Sequence, residues 1–141
     1  MKLFIFFLLI LSQTTAFAAT DRGISISMYQ LITFPEEFDS NLVSLTGVIV
    51  VTDAGYPQPG YRVYLFPNNY SAEHFIVSEA IELTVSFSED IQQDFHVKWN
   101  HKTVRLYGEF YRKTYSFSPN PAGALSSVYA LQEVKPFKFS K

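Results

Sequence analysis

Two segments of the chain carry one pattern. Val43-x-Leu45-x-Gly47-x-Ile49 returns 61 positions later as Val104-x-Leu106-x-Gly108-x-Phe110. Alternating apolar residues mark strands with one buried face, because successive side chains of a strand point to opposite sides. In both segments a glycine occupies the apolar face at mid-strand, which marks a bulge or tight bend where a sheet coils into a barrel. Two strands that must each bend at the middle suit a small closed barrel. The surrounding halves do not match, so the echo reflects one geometric demand met twice, not a repeat protein.

The other elements follow from period and punctuation. Ser27 is an N-cap for a short helix carrying Met28, Leu31 and Ile32 on one face, and Pro35 ends it. Residues 19–26 are a partly extended lead-in. Strands are expected over 42–51, 62–66, 80–87, 103–111 and 126–134. The first is apolar on both faces from Val48 to Val51, which predicts cover on both sides. Loops are expected over 52–60 (TDAGYPQPG) and 112–125, with Gly and Pro as turn signals. Residues 70–75 suggest a helical turn. Ser88 followed by Glu89 and Asp90 starts a second helix over 91–99, with Ile91, Phe95 and Trp99 at i, i+4, i+8.

The N-terminus reads as an address. Lys2, an apolar run over 3–11 and Ala16-Phe17-Ala18 make a secretory signal peptide over 1–18. The run is too short to span a bilayer, so no stable membrane anchor is expected after cleavage. Residues 19–141 then form a single domain of 123 residues in the periplasm or outside the cell. The chain has no cysteine, so this domain must hold itself together by core packing, without disulfides.

An order of helix, three strands, helix and two strands, with bending glycines in strands one and four, resembles the OB-fold over residues 41–134. That resemblance implies an all-β, five-stranded Greek-key barrel with an N-terminal helix. Leu31-Ile32-Thr33-Phe34-Pro35-Glu36-Glu37-Phe38, followed by Val43-Ser44-Leu45-Thr46-Gly47, also resembles the opening of small secreted bacterial OB-fold proteins. Tyr64-Leu65-Phe66 and Glu79-Ala80-Ile81-Glu82-Leu83 stand where that group has its next strands, with Glu79 replacing the usual Asn. The resemblance implies a fold and no activity.

Catalytic signatures are not found. The sequence lacks H-E-x-x-H, G-x-S-x-G and P-loop patterns, and His74, His96 and His101 lack metal-ligand spacing. No catalytic residue, metal or cofactor is expected. Charge says more. Residues 19–97 hold 2 basic and 11 acidic residues, whereas 98–141 hold 8 basic and 2 acidic ones, so the formal charge of −3 on residues 19–141 (−2 with Lys2) hides a −9 segment and a +6 segment. Either the two neutralise each other in the fold, or the basic segment forms a surface that steers an acidic partner. If Val104, Leu106 and Phe110 face inward, Arg105, Tyr107, Glu109 and Tyr111 face outward, continued by Arg112, Lys113 and Tyr115. On 62–66, Arg62, Tyr64 and Phe66 lie opposite Val63 and Leu65. The expected contact set is Tyr64, Arg105, Tyr107, Tyr111, Arg112, Lys113 and Tyr115, beside loops 52–60 and 112–125.

These features predict a non-catalytic binding module for a protein or other envelope ligand. The alternative is an immunity- or inhibitor-type protein that neutralises a toxin or enzyme in the envelope. Nucleic acid is not expected, because the chain is exported and its net charge is negative.

Overall fold

A computed structural model describes residues 23–53, 60–84, 89–113 and 120–135. Expectations on the signal peptide, residues 85–87 of the third strand, Ser88, most of loop 52–60, and residues 114–119 of loop 112–125, Tyr115 among them, lie outside the described residues. The elements run β1 (Ile24–Ser25), α1 (Met28–Thr33), α2 (Pro35–Phe38), β2 (Leu42–Asp53), β3 (Tyr61–Phe66), α3 (Asn69–Glu73), a 3-10 turn (Val77–Glu79), β4 (Ile81–Leu83), α4 (Glu89–Trp99), β5 (Thr103–Tyr111) and β6 (Gly123–Glu133).

The sheet closes on itself. Pairings β2–β3, β3–β4, β4–β6, β6–β5 and β5–β2 complete a five-stranded barrel, with β4 and β6 parallel and the rest antiparallel. β1 adds a short parallel strand beside Val43 and Ser44. The protein is therefore mostly β, with an OB-like barrel and few short helices.

The echoed segments pair with each other. Leu45 faces Leu106, Gly47 faces Val104, and Val43 faces Gly108. The pattern V-x-L-x-G thus meets its own reverse about a local two-fold at the leucine pair. Each glycine admits the next strand outward. A Cβ on Gly47 would sit 2.5 Å from the Phe66 carbonyl oxygen of β3, and one on Gly108 would sit 3.0 Å from the Ser126 carbonyl oxygen of β6. The bend expected at mid-strand is thus a close approach, made where the barrel curls on both sides of the β2–β5 pair.

The interior holds Val43, Leu45, Ile49, Val51, Val63, Leu65, Ile81, Leu83, Val104, Leu106, Phe110 and Leu125, joined by Met28 and Leu31 from α1. α1 is held at its start by a capping box: Gln30 N–H donates to Ser27 Oγ, and Ser27 N–H donates to Gln30 Oε1, both at 3.1 Å. Pro35 stops α1 and opens α2 at a position where its missing N–H costs nothing. α4 packs Phe95 and Trp99 against the core. At its exit Asn100 Oδ1 accepts from Val51 N–H at 2.9 Å, which satisfies a β2 donor.

The two-sided burial of Val48 to Val51 is present. Val48, Val50, Tyr64, Phe66, Ala72 and Ala80 form a second cluster on the outside of β2 and β3, beneath α3. Asn68 caps α3 through Ser71 N–H at 2.8 Å, and Ser71 Oγ hydrogen-bonds Glu79, which ties the helix to the turn before β4.

One boundary differs from expectation. β6 begins at Gly123, so Ala124 and Leu125 belong to the strand and not to loop 112–125. Parallel pairing with Ile81, Glu82 and Leu83 extends it there. β4 runs over Ile81–Leu83, and Thr84 N–H donates to the Leu125 carbonyl at 2.8 Å.

Gly47→Ala should lower stability by about 3 kcal/mol, because the new methyl meets a backbone carbonyl that cannot move without opening the barrel. The expected result is a lower urea midpoint with an unchanged slope.

Candidate functional site

β5 presents the alternation that its sequence implies. Val104, Leu106 and Phe110 are buried, Arg105 and Tyr111 are exposed, and Tyr107 and Glu109 are half-buried. Their neighbours across the sheet are set by register: Tyr107 lies between Ser44 and Tyr129, Arg105 between Thr46 and Gln132, and Glu109 between Leu42 and Ser126.

The β6 side of this face needs two irregularities. From Arg105–Gln132 to Tyr107–Tyr129, and again to Glu109–Ser126, β5 advances by two residues while β6 advances by three. Each step is a β-bulge. The extra residues are Ala130 and Ser127, both with φ at 51°, in the left-handed region where a Cβ is disfavoured. The bulges convert the period of β6 from two to three. Val128 and Leu131 pack toward the core, and Ser126, Tyr129 and Gln132 take outward positions opposite Glu109, Tyr107 and Arg105. As a result Tyr129 stacks on Tyr107, with centroids 5.7 Å apart and rings 20° from parallel.

The expected contact residues divide. Arg105, Tyr107 and Tyr111 share the outer face of β5. Arg112 and Lys113 follow at its end, where Arg112 N–H donates to Asp39 Oδ1 at 2.8 Å. Tyr64 does not belong with them: it is only 6% exposed, beneath α3, with Phe75 edge-on at 5.4 Å. Phe66, on the same side of β3, is fully buried. Alternation placed both on the outer face correctly, but the insertion between β3 and β4 folds back over that face. The signal missed was the small, apolar underside of that insertion, Ala72 and Ala80.

The segregation of charge along the chain is partly cancelled in space. Lys113 Nζ lies 2.9 Å from Glu82 on β4, and Lys102 Nζ lies 3.5 Å from Glu133. Both pairs are solvated and contribute little to stability. Arg105 differs. Its Nε–H reaches Thr46 Oγ1 at 3.5 Å, and it meets no carboxylate among the described residues. Tyr111 has its pKa raised above 10.0, chiefly by its hydrogen bond to Glu109, then by partial desolvation, with the Ser126 hydroxyl acting in the opposite direction.

The histidines are scattered. His74 lies against Tyr70 with centroids 4.2 Å apart and rings tilted by 30°, His96 stacks on Tyr61 at 5.9 Å, and His101 occupies the turn before β5. Among the described residues no three His, Asp or Glu side chains converge on a common point, and no helix is long and apolar enough to cross a membrane.

Ala130→Gly should raise stability by up to about 1 kcal/mol, since glycine relieves the left-handed strain at some cost in chain entropy. Thermal melts check this. Glu109→Gln should return the Tyr111 titration toward 10.0, read by phenolate absorbance. Because the folded-state pKa is raised, any stability from that bond is complete below pH 10 and is lost as pH rises through the Tyr111 titration.

No family model, curated protein or solved structure matches the chain.

Proposed function

We propose that the protein is an exported, non-catalytic binding module that holds a protein partner on the outer face of β5 and β6. Residues 1–18 act as the signal peptide, and the working compartment is the periplasm or the medium.

The observation that carries the reading is the pair of consecutive bulges in β6. Two non-glycine residues in the left-handed region are unfavourable, and their effect is to bring Tyr129 onto Tyr107 beside Arg105. Backbone strain of this kind tends to sit where a side chain must be aimed. Tyrosine and arginine are also the residues that most often anchor protein interfaces, which favours a protein over other envelope ligands. α3 covers the outside of β2 and β3, the first two barrel strands, and so takes up part of the customary OB ligand surface, whereas the outer face of β5 and β6 carries no such cover among the described residues. An immunity- or inhibitor-type protein is the narrower form of the same reading, with one toxin or enzyme as partner.

The test is co-purification from the cell envelope of the native host, using tagged wild-type protein and the Tyr107→Ala/Tyr129→Ala double variant. Both side chains lie on the outer face, so the variant should melt within a few degrees of wild type. The expected result is a stoichiometric partner with wild type that is lost with the variant. Equal recovery by both, no partner at all, or retention of the protein in the cytoplasm would overturn the proposal.

A further inference from the structure

The cations near this face are not equivalent. Lys113 is engaged by Glu82, and Lys102 by Glu133. Arg105 has one long contact to a threonine hydroxyl and no acid among the described residues. It stands in a cross-strand row between Thr46 and Gln132, next to the row that holds the stacked tyrosines. An arginine fork presents two parallel N–H donors that match a carboxylate, and the exposed Gln132 carboxamide beside it can add a third. A planar aromatic shelf next to that fork accepts the apolar or aromatic group adjacent to the acid.

From this arrangement we infer that Arg105 is the seat for a carboxylate of the partner, an Asp or Glu side chain flanked by an apolar or aromatic residue that lies on Tyr107 and Tyr129. The inference rests on the β5–β6 face being the binding face and adds the chemistry that the face selects. It assigns the recognition of acid to a single position, in place of the general basic character of residues 98–141. Lys113, already held by Glu82, then contributes little.

The test uses the purified protein, labelled with nitrogen-15, and two peptides, acetyl-Glu-Trp-Glu-amide and acetyl-Gln-Trp-Gln-amide, with inorganic phosphate as a third probe. The acidic peptide should give saturable shifts at the Arg105 Nε–H and the Tyr129 amide. Its affinity should fall about tenfold or more in Arg105→Gln, remain unchanged in Lys102→Gln, and decrease with added salt. The neutral peptide and phosphate should bind about tenfold more weakly or not at all. Equal binding of both peptides, phosphate binding as strong as the acidic peptide, indifference to Arg105→Gln, or shifts centred on Lys113 would overturn the inference. If these outcomes occur while the double tyrosine variant still loses its envelope partner, the binding face stands and only the carboxylate seat falls.

Discussion

The antiparallel pairing of β2 with β5 is the interaction on which the rest of the barrel depends. Leu45 and Leu106 meet at its centre, and a glycine stands opposite a valine on either side. Gly47 lets the Phe66 carbonyl of β3 come close, and Gly108 does the same for Ser126 of β6. The strands that flank the pair can therefore curl inward from both sides, and β4 joins them. A side chain at either glycine would hold a neighbouring strand away. The core residues of β3, β4 and β6 would then lose the enclosure that makes their burial favourable.

Closure leaves the outer surface to be divided. The barrel interior accounts for one face of each strand, and α3 with the turn before β4 accounts for the outside of β2 and β3. That second layer explains why Val48 and Val50, and Tyr64 and Phe66 opposite them, can all be apolar. The outside of β5 and β6 has no such cover among the described residues. Arg105, Tyr111 and Tyr129 stand exposed there, and two bulges in β6 set Tyr129 opposite Tyr107.

Much of the architecture was legible because local chemistry and tertiary structure agree. Ser27 caps the first helix, Pro35 divides it from the next turn, and the alternation over Thr103–Tyr111 sets both the bounds of β5 and its buried side. β6 was less legible. Leu125, Val128 and Leu131 recur every third residue, a spacing foreign to a regular strand, and only pairing with β5 explains it. Neither Ser127 nor Ala130 carries the glycine signature that would have announced a left-handed residue. The cover over Tyr64 is illegible for a related reason. Alternation says which side of a strand a residue takes, and is silent on whether another segment covers that side.

By itself the sequence determined the order of elements, the inward faces and the two positions where the barrel must tighten, because these depend on period, caps and the absence of a Cβ. It also determined that cation and acid are segregated along the chain. Only the tertiary structure decided which of those charges meet, that Lys113 finds Glu82 while Arg105 finds no acid among the described residues, and that Tyr129 stacks on Tyr107. These are contacts between residues far apart in the chain or across a bulged ladder. Their partners are set by the register in which the strands close, which no local pattern encodes.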